Sequence, residues 1–133
     1  MTKLFTALMA ATLITSAAYA ADARVSFVAP QDGATVSSPV HVKFGITGMK
    51  VRPAGEDLKD KTTGHHHLIV DGAFVPEGQN IPTDATHLHF GKGQTEADVP
   101  LTPGKHKLTL QLGDGAHRSY GEKLSKTIEI TVK

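Results

Sequence analysis

Apolar side chains recur at every second position along this chain, and that spacing most narrows what it can fold into. Segment 40–46 puts Val40, Val42, Phe44 and Ile46 on one face and His41, Lys43 and Gly45 on the other, the pattern of a half-buried strand. Val25 and Phe27 alternate with polar neighbours in 24–28, and Ile128, Ile130 and Val132 alternate with Thr127, Glu129 and Thr131 in 126–132. Further strands are predicted at 66–70, 87–90, 96–101 and 106–112. Turn signals separate them: Gln31-Asp32-Gly33, Asp71-Gly72, Thr102-Pro103-Gly104 and Gly113-Asp114-Gly115, all rich in the residues that reverse a chain. A charged loop is expected over 48–64 and a long one over 72–85. No stretch carries a helical stripe. The expectation is an all-β fold, an antiparallel two-sheet sandwich of immunoglobulin-like kind, with a small jelly roll as the alternative.

Residues 1–20 read as a secretory signal peptide. Lys3 precedes a short apolar stretch that closes on Ala18-Tyr19-Ala20, the basic start and small-residue end of a cleavable leader. Thr6, Thr12, Thr15 and Ser16 interrupt the stretch, which is also short for a membrane span. Cleavage after Ala20 is expected to leave 21–133 as a single β-sandwich domain in the periplasm. The chain has no cysteine, which excludes disulfides, thiolate metal sites and a cysteine nucleophile. Its 14 basic residues nearly balance its 13 acidic ones, so no strong field gathers nucleic acid or anionic lipid.

Eight histidines are the abnormal feature of the composition. Three segments concentrate them: Gly64-His65-His66-His67-Leu68, Thr86-His87-Leu88-His89-Phe90 and Gly113-Asp114-Gly115-Ala116-His117. Residues two apart on a strand share a face about 6.6–7 Å apart. His65 and His67 are therefore expected to converge on one ion, as are His87 and His89, with turn residue His117 closing over them. His66 should point the other way, with Leu68 and Val70. Neutral imidazole suits zinc and Cu(II), and proton competition should weaken binding below the free histidine value of about 6.5. Met49 is the one methionine retained after leader cleavage, a poor supply of soft ligands for Cu(I). His66, Gln94, Glu96 and His106 are candidates for additional ligands or for groups that orient the imidazoles. His41 is expected to be solvated. The alternative for all of these histidines is a hydrogen-bonding role at the end of a sandwich.

Four stretches carry a family resemblance: Gly-His-His-His-Leu-Ile-Val-Asp at 64–71, Ile-Pro-Thr-Asp at 81–84, His-Phe-Gly-Lys-Gly-Gln-Thr-Glu at 89–96 and Pro-Gly-Lys-His at 103–106. They resemble domain of unknown function 4399, a family of small exported bacterial proteins, over most of the chain after the leader. The resemblance implies export and one β-rich domain, and it puts weight on His65, His66, His67, His89 and His117.

Three functions compete. The first is a periplasmic protein that binds Cu(II) or zinc for buffering or delivery. The second is a non-catalytic envelope interaction module whose histidines are structural. The third is a cupin-like metalloenzyme, although the glycine and proline spacing of cupin motifs is missing. The chain also lacks Gly-x-Ser-x-Gly, His-Glu-x-x-His and a phosphate loop, so the common hydrolase and nucleotide signatures are excluded. Cleavage would expose Ala21, not a histidine, so no copper ligand is expected at the new terminus.

Overall fold

The computed structural model describes residues 22–133; the segment 1–20 read as a leader lies outside them. The strands are β1 (Arg24–Ala29), β2 (Thr35–Val36), β3 (Val40–Thr47), β4 (Lys50–Val51), β5 (Thr63–Val70), β6 (His87–His89), β7 (Glu96–Val99), β8 (Gly104–Gly113) and β9 (Ser125–Val132), with one 3-10 turn at Glu122–Leu124. They form the all-β, two-sheet sandwich that the alternation predicts. One sheet has the order β1-β3-β7, and the other runs β2-β9-β8-β5. Beyond β5, two short strands share its outer edge: β4 pairs with Thr63 and Gly64, and β6 with His67, Leu68 and Ile69. The sheets are antiparallel except for the two-residue pairings of β2 with β9 and β4 with β5.

The core lies between the sheets. Val40, Val42 and Phe44 from β3 meet Leu68 from β5, Leu108, Leu110 and Leu112 from β8, and Ile128, Ile130 and Val132 from β9. These are the alternate positions of each strand, and burying each such side chain contributes roughly 1.5–3 kcal/mol. Strand β5 departs from alternation, because it is buried on both faces from Thr63 to Ile69. Its second face is covered by the long loop 72–86, which straps across β5 and β8. Val75 and Ile81 of the strap pack on Ile69. The Val75 N–H donates to Gln111 Oε1 (3.1 Å), Ser119 Oγ donates to the Val75 carbonyl (2.6 Å), and the Ile81 N–H donates to the His117 carbonyl (2.9 Å). Strand β5 also begins at Thr63, so the whole histidine run lies on a strand rather than at the end of the preceding loop. Among the described residues, no helix is long and apolar enough to cross a membrane.

Candidate metal centre

The two faces of β5 sort its three histidines. His66 turns inward with Leu68 and packs on Phe44, ring centres 5.1 Å apart. His65 and His67 turn outward, under the strap, and both are 0% exposed. Sheet register supplies the third imidazole, since His67 lies directly opposite His89 on β6, and such pairs leave one face together. The fourth arrives from the turn after β8. Asp114 Oδ1 accepts the N–H groups of Ala116 and Arg118, each at 2.9 Å, and the His117 N–H donates to the Asp114 carbonyl at 2.9 Å. That closed turn holds His117 in the left-handed region at φ 63°, a conformation histidine adopts more readily than most residues, and its ring reaches back over β5 and β6.

The four rings touch pairwise. Ring-centre distances are 4.7 Å for His65–His67, 5.0 Å for His65–His89, 5.1 Å for His65–His117, 5.0 Å for His67–His89, 6.2 Å for His67–His117 and 4.7 Å for His89–His117. Their Nε2 atoms face one another, 3.0 Å apart between His65 and His67 and 3.1 Å between His89 and His117. His65, His67 and His89 each place a ring nitrogen within 4.8 Å of the others, a group able to hold a metal ion. His117 joins this trio through His89 and lies farthest from His67. Zinc sits about 2.0–2.1 Å from an imidazole nitrogen, so nitrogens about 3 Å apart are the right distance to share one ion.

Burial and mutual repulsion favour the neutral form of His65, His67 and His89. Burial, reinforced by the neighbouring imidazoles, pushes His65 down to about 4 and His67 down to about 2. His89 is lowered by burial and then by His117. Burial alone pushes His66 down to about 4. A neutral imidazole is the form that binds metal. Within the protein the Nδ1 atoms of His65 and His67 are buried without a hydrogen-bond partner, which costs about 1–3 kcal/mol for each such group.

Four of the five principal candidates thus come together: His65, His67, His89 and His117. His87 does not join them. It shares a face with His89 but stands one row along, opposite Ile69, and its Nδ1 lies 2.8 Å from Asp84 Oδ1. Hydrogen bonds from His87 and from the Thr86 N–H hold the Asp84 carboxyl down to about 2, so that ring closes a loop. The additional candidates are also occupied elsewhere. His66 is in the core. Gln94 Oε1 accepts the Lys92 N–H at 2.9 Å and stabilises the glycine-rich turn. Glu96 lies 3.4 Å from His41 on the other sheet, and His41 is 2.8 Å from Asp98, so His41 is ion-paired rather than merely solvated. His106 sits between Asp71 Oδ2 (2.9 Å) and the Thr102 carbonyl (2.7 Å), and Asp71 raises its pKa.

Gly91, Gly113, Asp114 and Lys61 support the site without standing among its sequence-predicted residues. A Cβ on Gly91 would run into the His89 ring, and one on Gly113 would lie 3.1 Å from His67 Nε2 and 2.9 Å from Ile81 Cδ1. Both glycines make room for imidazoles. Asp114 is 2% exposed and ion-paired with Lys61, which together with the two turn N–H groups lowers its pKa despite the opposing effect of burial. The Asp-Gly turn was a visible signal for Asp114; nothing in the sequence pointed to Lys61.

A family model described as Domain of unknown function (DUF4399) matches residues 42–133. No curated protein matches the chain. Among solved structures, it is similar to the X-ray structure of the endo-beta-1,4-mannanase from Thermotoga petrophila, with 16% identity and a TM-score of 0.49. That similarity covers 84% of this chain and 20% of the mannanase chain, so the chain spans about a fifth of that protein's length. The family match runs from β3 to the last strand and contains all four clustered histidines, and the chain belongs to the DUF4399 family.

Proposed function

We propose that this is an exported periplasmic protein that binds one divalent transition metal ion, Cu(II) or zinc, through His65, His67, His89 and His117, for buffering or delivery. The observation that carries the reading is the convergence of two Nε2 pairs, 3.0 and 3.1 Å apart, within one group of rings. The donor set is all imidazole, which suits Cu(II) and zinc. Two ligands sit on a central, fully buried strand and two are half-buried, so part of the site is rigid and part faces the approach of an ion. Export rests on the leader at residues 1–20 and its Ala18-Tyr19-Ala20 end.

Calorimetric titration of the protein with Cu(II) and with zinc tests this. One ion per chain is expected, and loss of binding in the double variant His65→Ala, His89→Ala. Absence of binding by both metals would leave the histidines structural.

A further inference from the structure

The six ring-to-ring distances describe the shape of the group as well as its existence. On the reading that the four imidazoles hold one ion, an ion about 2.0–2.1 Å from each Nε2 lies about 3.1–3.2 Å from each ring centre. A regular tetrahedron would then separate every pair of ring centres by about 5.1 Å, whereas a square plane would give four distances of about 4.5 Å and two of about 6.3 Å. The cluster fits neither. Five distances fall between 4.7 and 5.1 Å and the sixth, His67–His117, is 6.2 Å.

The one point equidistant from all four ring centres lies about 3.2 Å from each, at the upper end of that range, and there His67 and His117 subtend about 150° and the other five pairs about 94–106°. The Nε2 separations give an independent measure. At a bond length of about 2.05 Å, the 3.0 Å of His65–His67 and the 3.1 Å of His89–His117 correspond to about 94° and 98°. Ring centres and nitrogens agree for both pairs. Two ligands about 150° apart, with two more about 103° apart between them, make a distorted trigonal bipyramid that lacks one equatorial ligand.

Resting on that one-ion reading, we infer that the group holds Cu(II) in a five-coordinate arrangement and leaves the equatorial position opposite His65 and His89 to a small exogenous anion. Zinc in a closed four-ligand site takes a tetrahedron, whereas Cu(II) favours nitrogen sets stretched towards tetragonal shapes. Charge selects the class of ligand. Four neutral imidazoles leave both charges of the ion uncompensated, and the carboxylate of Asp114 on the adjoining turn is engaged by Lys61. Size is limited as well, because Ile81 of the strap packs close beside Gly113 and the His67 ring.

The test is a titration of the Cu(II)-loaded protein with azide, followed by visible absorption and electron paramagnetic resonance. A saturable azide-to-copper charge-transfer band and a shifted resonance spectrum are expected, unchanged in the variant His87→Ala. If Cu(II) loads at one per chain and azide alters neither spectrum, the fifth position is closed and the inference fails while metal binding stands. Azide that merely strips the copper, seen as loss of protein-bound metal on gel filtration, also overturns it. Failure to take up Cu(II) while zinc binds overturns this inference and leaves the metal reading standing, whereas failure to take up either metal removes both.

Discussion

His67 and His89 stand directly opposite each other on β5 and β6, with ring centres 5.0 Å apart. Strand β6 has three residues, so its register needs outside support. The Phe90 N–H donates to the His66 carbonyl at 3.1 Å, and the Val70 N–H donates to the Thr86 carbonyl at 2.8 Å. These bonds fix the short strand at both ends. A slip of one residue would turn His89 into the core and bring Leu88 outward, so the backbone pairing itself positions the third imidazole.

Metal should stabilise the fold. An ion that binds only the folded state adds about 2.7 kcal/mol at a hundredfold excess over its dissociation constant. Thermal melts with Cu(II) or zinc should therefore shift upward, and the double variant His65→Ala, His89→Ala should retain a melting transition that no longer responds. An unshifted wild-type melt at saturating metal contradicts the site.

Rows on the sheet surface separate the two turn-flanking histidines. His117→Ala removes a ring that touches all three other imidazoles, and it should weaken metal binding. His87→Ala removes a ring engaged by Asp84, and it should leave affinity unchanged while loosening the local loop. Calorimetry on the two variants checks this, and equal effects would contradict the assignment.

How much of this was legible beforehand depends on the range of each interaction. Alternation within a strand is local, so Val40 to Ile46 and the inward and outward sorting of His65, His66 and His67 could be read directly. The pairing His67–His89 depends on which strands become neighbours, and no local pattern encodes that choice. Hence His87 and His89 looked equivalent, although one lies beside His67 and the other beside Ile69. The strap was invisible for the same reason. Its loop character was evident from Pro76, Gly78 and Pro82, but its docking on Ile69 through Val75 and Ile81 is a tertiary event.

Gly91 offers a test that separates affinity from folding. Its backbone is not among the glycines with positive φ, so alanine fits the chain there, yet the new Cβ collides with the His89 ring. Gly91→Ala should displace that ring and weaken metal binding by at least about tenfold, the scale seen when groups that orient a ligand are lost. The metal-free protein should melt within about 1 kcal/mol of the original, since the site lies outside the main core. Unchanged affinity would mean that the ring relaxes without cost.

Acid should destabilise the metal-free protein before it disrupts metal binding. His65 and His66 are pushed down to about 4 and His67 to about 2 by burial, while in the unfolded chain each titrates near 6.5. Between about 6.5 and 4 the unfolded state therefore takes up protons that the folded state refuses, and stability falls as pH falls. For His66 alone the displacement corresponds to on the order of 3 kcal/mol, a large share of a typical 5–15 kcal/mol. His41 and His106 act oppositely, since Asp98 and Asp71 raise their pKa values; their contribution is present at low pH and is lost as pH rises through those values. Both sit at or near the surface, so the buried run dominates. Because His65, His67 and His89 are all lowered, proton competition for the metal begins further below 6.5 than free histidines would show. Urea unfolding at about pH 7.5 and about pH 5 should show a lower midpoint in acid. The variant His66→Leu, which removes two buried nitrogens without partners, should reduce that difference. Equal midpoints at the two pH values would show that the buried histidines take up protons in the folded state as readily as in the unfolded one.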